Sequence, residues 1–242
     1  MVRKSTAKLK NKIAVITGGS KGIGKAIAEN LVKEGCKIVI AARSEEDLKR
    51  TENELRRGGA DILAVIADVR KRQDIENLYR KVNRKFGPAH ILINNAGVGR
   101  FEEVVRMKDE DFRETLETNL FGVFYCTKAF LPGMIENGGG HVINIASLAA
   151  KNSFASGSAY CASKHGLIAF AECLMLEVRH HNIKVTTICP GTVQTDFSHH
   201  TSDKTWALTA EDVGKAVLDV LQSSAGSLVS LLDLRPLRPP KR

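Results

Sequence analysis

The sequence predicts a single α/β domain built on a doubly wound, seven-stranded, mainly parallel sheet with helices on both faces. Seven apolar, β-branched runs recur along the chain, and helix-length segments separate them. The runs are almost continuously hydrophobic, as expected for strands buried between two helix layers. Alternating strands and helices favour right-handed crossover connections. A length of 242 residues with 43% hydrophobic content is sufficient for one such domain with a substantial core.

The predicted strands follow the apolar runs in chain order. They are Ile13–Thr17, Lys37–Ala41, Ile62–Ala67, Ala89–Asn94, His141–Ala146, Lys184–Cys189 and Ser227–Leu232. Ser44, with Asp47 three residues later, is typical of a helix N-cap, and Gly35 is placed to end a helix as its C′ glycine. No linker or internal repeat divides the chain, so we expect one folded domain over residues 13–234.

The net charge of +9 is concentrated at the two ends of the chain. Residues 1–12 carry five Lys or Arg side chains and residues 235–242 carry four, whereas residues 13–234 carry no net charge. We interpret the ends as a basic N-terminal arm and a basic C-terminal tail. Nucleic-acid binding is not expected, because a reading groove requires basic residues clustered on one folded face. A short mitochondrial presequence is the alternative for the arm, but only twelve residues precede the first strand.

Cysteine usage and hydropathy indicate a cytoplasmic protein. The five cysteines are odd in number, scattered and without a CxxC pair, so they fit neither a disulfide framework nor a zinc site. No apolar run approaches the roughly 18 residues of a membrane span. His180-His181 and His199-His200 are not expected to bind metal, because adjacent side chains point in different directions. We therefore expect no metal and no membrane association.

A glycine-rich turn follows the first strand directly. It reads TGGSKGIG over residues 17–24, and a helical pattern through Ala26, Ile27 and Leu31 follows at once. Glycines in this position let the backbone approach a pyrophosphate, and the free N–H groups of the helix N-terminus bind the anion. The GxxxGxG spacing differs from the common GxGxxG fingerprint. A tight turn without a ligand is the alternative interpretation, which the position after the first strand disfavours.

The end of the second strand predicts the cofactor. Many NAD enzymes have a carboxylate there for the ribose 2′-hydroxyl, but this chain has Arg43 followed by Ser44. The planar guanidinium of Arg43 suits a 2′-phosphate, and Lys21 in the glycine turn supplies a second positive charge. Either residue alone could be an ordinary solvated cation. Their joint placement favours NADP(H) over NAD(H).

A tyrosine and a lysine four residues apart are the main candidates for chemistry. Tyr160 and Lys164 begin a long helical pattern, and their spacing places both on one helix face about one turn apart. A nearby cation favours the phenolate and lowers the pKa of a phenol from about 10. Ser147 ends the fifth strand, where ligands of open α/β sheets bind. Because a surface Tyr–Lys pair also arises by chance, the assignment depends on the accompanying motifs.

Together these motifs resemble the short-chain dehydrogenase/reductase family, whose members have a Rossmann fold. The resemblance covers nearly the whole chain and rests on TGGSKGIG at 17–24, Asp68-Val69, Asn94-Asn95-Ala96-Gly97, Asn119, Ser147, Tyr160 with Lys164, and Pro190-Gly191. The first two thirds of the chain look similar to 3-oxoacyl-carrier-protein reductases. The C-terminal end looks more like the 3-hydroxy-acid dehydrogenase and carbonyl reductase branch.

The resemblance implies an active site of four residues. Tyr160 would be the general acid in carbonyl reduction, and Ser147 would orient and polarise the carbonyl. Lys164 would lower the pKa of Tyr160 and bond the nicotinamide ribose. Asn119 would hold a water that links Lys164 to solvent.

The resemblance also implies an extended NADP(H) site. Asp68 and Val69 would contact the adenine, and Asn95 with Gly97 would border its ribose. Val193 and Thr195 would hold the carboxamide. The full predicted set is Thr17, Gly18, Ser20, Lys21, Gly22, Ile23, Gly24, Arg43, Asp68, Val69, Asn95, Ala96, Gly97, Tyr160, Lys164, Pro190, Gly191, Val193 and Thr195.

We therefore expect an NADPH-dependent oxidoreductase that reduces a ketone or an aldehyde to an alcohol. Its substrate would be a small molecule or an acyl-carrier-borne carbonyl, such as a 3-oxoacyl thioester or a 3-oxo acid, bound by residues 192–209. Apolar residues spread around more than one face of the 166–178 helix, and the family packs this helix between subunits, so we expect a homodimer or homotetramer. The alternative is a catalytically idle NADP-binding redox sensor or adaptor.

Overall fold

The computed structural model describes residues 8–195, 197 and 205–239. The first seven residues of the predicted arm, residues 196 and 198–204 of the predicted substrate segment and the last three residues of the tail lie outside this range. The histidine pair His199-His200 lies outside it as well.

All seven predicted strands are present and form one sheet. They are β1 (Ile13–Thr17), β2 (Lys37–Ala42), β3 (Ile62–Ile66), β4 (Ile91–Asn94), β5 (Gly140–Ile145), β6 (Ile183–Pro190) and β7 (Leu231–Leu234). Their spatial order is β3-β2-β1-β4-β5-β6-β7, and every neighbouring pair is parallel. The chain order reverses between β1 and β4, so the crevice at their carboxyl ends is the expected ligand site of this fold.

Helices cover both faces of the sheet. They are α1 (Gly22–Lys33), α2 (Glu45–Arg57), α3 (Arg72–Phe86), α4 (Asp109–Leu116), α5 (Gly122–Glu136), α6 (Ser158–Val178) and α7 (Ala210–Gln222). Apolar side chains of α1, α2 and α7 pack in one core cluster, and those of α3, α5 and α6 pack in the other. Among the described residues no helix is long and apolar enough to cross a membrane.

The predicted signals at the helix ends are confirmed. Ser44 Oγ accepts a hydrogen bond from the Asp47 amide at 3.2 Å and so caps α2. Gly35 has φ +77° after α1, and its amide bonds to the carbonyl of Val32. The amide of Cys36 reaches the Leu31 carbonyl at 3.1 Å, which completes a Schellman motif.

Two predicted boundaries, at the ends of the domain, differ most from the structure, whereas the bounds of the other strands differ by at most two residues. The predicted N-terminal arm, residues 1–12, is not wholly separate from the folded domain. Leu9 is buried in the core beside α1. The last strand was expected at Ser227–Leu232, but β7 is Leu231–Leu234. Its predicted start lies in a turn, in which the Ser227 amide bonds to the Ser224 carbonyl. Its end includes the charged Asp233, which an apolar pattern excludes and which pairs with Lys151 at 2.8 Å.

Candidate active site

The glycine turn between β1 and α1 is packed too tightly for other residues at two positions. A Cβ on Gly24 would lie 2.2 Å from the Gly18 carbonyl oxygen. Gly18 has φ +62°, and a Cβ there would lie 2.9 Å from Ala96 Cα. The turn therefore presents bare backbone at the N-terminus of α1, where the free N–H groups attract an anion.

Hydrogen bonds join the glycine turn to the segment that follows β4. Thr17 Oγ1 accepts from the amides of Asn95 at 3.0 Å and Ala96 at 3.1 Å. In return, Asn95 Nδ2 donates to the carbonyls of Thr17 at 3.0 Å and Gly18 at 3.1 Å. The side chains of Thr17 and Asn95 thus hold the two loops as one unit across the switch point of the sheet.

Arg43 lies at the end of β2 in a cluster of charges. Its guanidinium is 3.6 Å from a carboxylate oxygen of Glu114, and its side chain is 54% exposed. Both Glu114 oxygens are already hydrogen-bonded, one to Arg70 at 3.1 Å and the other to Arg100 at 2.8 Å. Hydrogen bonds from Arg100, together with the charges of the other arginines, hold the pKa of Glu114 below its usual range. Arg43 is the most loosely held cation of this group, and Lys21 is exposed in the nearby glycine turn.

The side chains of Asp68 and Val69, the two residues expected at the adenine, both make contacts with other residues of the protein. Arg70 donates from Nε and Nη2 to the Asp68 carboxylate at 3.0 and 2.6 Å. The Val69 side chain is buried, and a Cβ on Gly122 would lie 2.8 Å from its Cγ2. Only the main chain of Val69 is therefore available to a ligand.

Asn119 lies in a π-helical turn, Glu117–Phe121, that joins α4 to α5. Its side chain is fully buried and hydrogen-bonds Val98 twice, accepting from the amide and donating to the carbonyl, both at 2.9 Å. Nδ2 also donates to Ser163 Oγ on α6 at 3.0 Å. A π turn inside a helix frequently marks a functional position.

Lys164 is buried in the interior of the protein, next to Tyr160. Its Nζ donates to the Ile145 carbonyl at 3.0 Å and lies 5.8 Å from the centroid of the Tyr160 ring. A Cβ on Gly97 would be 3.8 Å from Nζ and 3.3 Å from Asn119 Oδ1, so the three residues meet at one point. Burial lowers the pKa of Lys164 to about 8.

The environment of Tyr160 reverses one expectation. Burial raises the pKa of Tyr160 to about 12, while a hydrogen bond with the Ser147 side chain acts in the opposite direction. The net shift in the pKa of Tyr160 is thus upward, opposite to the lowering expected from a nearby cation, because loss of solvent disfavours the phenolate. The Ser147 hydroxyl also accepts from the Ala149 amide at 3.1 Å, which fixes its orientation.

The segment after β6 borders both the glycine turn and the last strand. The Gly191 amide donates to the Leu234 carbonyl at 2.8 Å. Val193 forms an isolated bridge with Leu208. The Thr195 methyl lies 3.4 Å from where a Cβ of Gly22 would be. The residues predicted for the pyrophosphate and for the carboxamide are thus neighbours across the crevice.

Comparison with known families decides the family of the chain. A model of short chain dehydrogenases matches residues 12–206. The chain belongs to the short-chain dehydrogenase family.

Similar proteins support the same family. The chain is 37% identical over 192 residues to 3-oxoacyl-[acyl-carrier-protein] reductase of Salmonella typhimurium, covering 79% of this chain and 78% of the relative. An alcohol dehydrogenase from Thermococcus sibiricus, solved with 5-hydroxy-NADP, has a TM-score of 0.89 at 29% identity, covering 96% and 100% of the two chains. A variant of the actinorhodin polyketide ketoreductase, solved with NADPH, has a TM-score of 0.87 at 32% identity, covering 96% and 97%.

Several residues of this short-chain dehydrogenase site were not found from the sequence. Arg70 and Glu114 are 44 positions apart, and nothing in a single sequence links them. Ser163 donates to the Tyr160 carbonyl at 2.8 Å and accepts from Asn119, but a serine within a helix gives no distinctive signal. The sequence also gave no indication that Phe101 packs against Tyr160, with ring centroids 5.4 Å apart.

The described part of the chain contains no group of three His, Cys, Asp or Glu side chains arranged to hold a metal ion. His180 and His181 lie after α6, and their ring centroids are 3.9 Å apart. Cys161 is buried beside Ala149 and Tyr160 in a small apolar cluster.

Proposed function

We propose that this short-chain dehydrogenase is an NADPH-dependent reductase that converts a ketone or aldehyde to an alcohol, with Tyr160 as the general acid. One observation carries the proposal: Ser147, Tyr160, Lys164 and Asn119 converge beside Gly97, at the carboxyl ends of β4 and β5. Burying polar side chains costs free energy, and titratable groups collected at a crevice are typical of functional sites.

The residues present fit an NADP(H) cofactor. Bare backbone at Gly18 and Gly22 and the N-terminus of α1 suit the pyrophosphate. Arg43, held loosely by Glu114, and Lys21 suit the 2′-phosphate. When bound, NADPH supplies the hydride that reduces the carbonyl carbon.

Tyr160 is suited to give the proton in this reduction. With a pKa raised to about 12, its phenol is protonated at neutral pH and can donate to the carbonyl oxygen as charge develops there. The Ser147 hydroxyl hydrogen-bonds the same oxygen and polarises the carbonyl.

Lys164 stabilises the phenolate that Tyr160 leaves behind. Its pKa of about 8 keeps most of its ammonium charged at neutral pH. Asn119 holds the Val98 backbone and Ser163 beside it, and its π-helical turn is the proposed position of a water that returns a proton to Lys164.

We propose a 3-oxoacyl thioester, delivered free or on an acyl carrier, as the substrate class, because the similar Salmonella typhimurium enzyme is a 3-oxoacyl-[acyl-carrier-protein] reductase. We also propose a homodimer or homotetramer. Support comes from exposed apolar side chains on adjacent helices: Phe121 and Phe124 near the start of α5 are 47% and 41% exposed, and Leu176 on α6 is 57% exposed.

Replacing the phenol tests the proposal. Tyr160→Phe should lower kcat for NADPH oxidation with a 3-oxoacyl thioester by about 10²- to 10⁴-fold, because the proton donor is lost. NADPH binding, measured by titration of its fluorescence, should change little. Tyr79→Phe, on α3 away from the site, is the matched control and should retain activity.

Two outcomes would contradict the proposal. Equal turnover by Tyr160→Phe and the wild type would remove the phenol from the mechanism. Tight NADPH binding without turnover of any ketone, aldehyde, 3-oxo acid or 3-oxoacyl thioester would favour the idle sensor instead.

A further inference from the structure

Two phenylalanine rings contact the ring of Tyr160, and a third packs on one of them. Phe101 meets Tyr160 edge to face at a centroid distance of 5.4 Å. Phe197 is tilted against Tyr160 at 5.8 Å, and Phe154 packs on Phe101 at 5.9 Å. We call Phe101, Phe154 and Phe197 the phenylalanine cage.

The cage rings are unusually exposed for side chains that pack together. Tyr160 itself is buried, whereas Phe101, Phe154 and Phe197 are 39%, 49% and 40% exposed. Large apolar side chains left open in a cluster mark a binding site for an apolar group. The contact of Phe101 and Phe197 with Tyr160 places that group next to the carbonyl that the phenol protonates.

Glycines give the cage its shape. A Cβ on Gly99 would lie 2.8 Å from both Phe101 Cζ and Phe197 Cε1, so both rings rest against one bare backbone position. A Cβ on Gly157 would lie 2.6 Å from Phe154 Cε2. Any other residue at Gly99 or Gly157 would displace a ring of the cage.

The backbone also fixes the third ring. The Gly157 amide bonds to the Phe154 carbonyl at 3.2 Å, which closes a turn around Ser156. Ser156 has φ +63°, a left-handed conformation that costs free energy for a residue other than glycine. The Glu102 amide holds the Ser156 carbonyl at 2.9 Å, so the loop carrying Phe101 and the turn carrying Phe154 are joined.

Charged side chains next to the cage are already paired. Arg100 is bound to Glu114, and Glu102 is bound to Arg106 at 3.2 Å. Arg100, the cation next to Phe101 in the chain, is therefore not free to bind a carboxylate within the cage. The cage therefore suits a neutral group.

We propose that the phenylalanine cage binds an aromatic ring attached to the carbonyl carbon, so that the preferred substrates are aryl ketones, including 3-aryl-3-oxoacyl thioesters. Tilted and edge-to-face rings favour an aromatic guest over an alkyl one, because aromatic pairs gain energy beyond the area that they bury. This inference depends on the proposed reductase activity.

A comparison of matched substrates with the wild-type protein tests the inference. The probes are the benzoylacetyl, cyclohexanecarbonylacetyl and acetoacetyl thioesters of N-acetylcysteamine, assayed by NADPH oxidation. Phenyl and cyclohexyl groups are similar in size and apolarity, so their ratio isolates the aromatic contribution. We expect kcat/KM for the phenyl substrate to exceed that for the cyclohexyl substrate by about tenfold.

Variants of the phenylalanine cage test whether the cage causes the preference for the phenyl substrate. Phe101→Leu and Phe197→Leu keep an apolar side chain, and each should lower the phenyl-to-cyclohexyl ratio by about two- to tenfold. Phe86→Leu, at the end of α3 and beside Lys37 at the start of β2, is the matched control and should keep the wild-type ratio.

The possible failures are distinguishable. Turnover of all three thioesters with a phenyl-to-cyclohexyl ratio near one would overturn the aromatic cage while leaving the reductase intact. A preference for the phenyl substrate that persists in both Phe101→Leu and Phe197→Leu would place the aryl site elsewhere. This result would also overturn the aromatic cage. Absence of turnover with any ketone would instead overturn the reductase proposal on which the cage depends.

Discussion

A buried histidine in the sheet leads to a prediction about the free energy of unfolding at acid pH. His141, at the start of β5, is buried, and its Nε2 lies 2.8 Å from Thr186 Oγ1. Because the Thr186 hydroxyl donates to the Val229 carbonyl at 2.7 Å, it can only accept from His141. The imidazole therefore carries its proton on Nε2 and is neutral. Burial, with a contribution from Lys184, lowers its pKa from 6.5 to about 3.

The sign and size of the effect follow from linkage. Above pH 6.5 the imidazole is neutral in both states, and it does not make stability depend on pH. Below that value the unfolded chain binds a proton that the folded chain refuses until about pH 3, so stability falls as the pH falls. At about 1.4 kcal/mol per pKa unit, the loss attributable to His141 between about pH 7.5 and about pH 4.5 is roughly 2.5 kcal/mol.

Denaturant unfolding measures this loss. His141→Gln keeps an N–H donor for Thr186 but cannot be protonated, so its free energy of unfolding should fall by roughly 2.5 kcal/mol less than that of the wild type over this pH range. His180→Gln removes an exposed histidine and should behave like the wild type. Parallel pH profiles for the wild type and His141→Gln would refute the reasoning.

Two further predictions concern the cofactor site. Arg43→Ala should weaken NADPH binding by about tenfold or more and leave NADH binding nearly unchanged, because only the 2′-phosphate loses a partner; equal weakening of both in fluorescence titrations would contradict this. Gly24→Ala should abolish NADPH binding, since its Cβ would lie 2.2 Å from the Gly18 oxygen, whereas Gly226→Ala, with open space around it, should bind normally. Normal titration of Gly24→Ala would show that the turn can move.

The fold was predictable because its signals are local. Continuous apolar runs identify buried strands, and residues such as Ser44 and Gly35 mark helix ends through their own backbone. The last strand was misplaced because its pattern is weak at the sheet edge. Asp233 belongs to that strand, where it contacts Lys151 at 2.8 Å, and a charge within a strand contradicts the apolar pattern.

The candidate site was predictable where a residue type is tied to a motif, and less so where the contact spans distant segments. Tyr160 and Lys164 were found from their spacing. The contact of Phe101 with Tyr160 was not, because a loop residue and a helix residue that are 59 positions apart meet only through the tertiary fold. The net upward shift in the pKa of Tyr160 was not predicted, because burial, which opposes the effect of a nearby cation, cannot be read from a pair of residues.

The position of β7 has a consequence for local unfolding. The Leu234 carbonyl accepts from the Gly191 amide, and Pro236 packs so closely that a Cβ on Gly191 would lie 2.9 Å from its ring. The segment after β6 is thus held by an edge strand, which pairs with β6 at the end of the sheet. Because such a strand can open without breaking the rest of the sheet, the crevice can loosen on this side while the core stays folded.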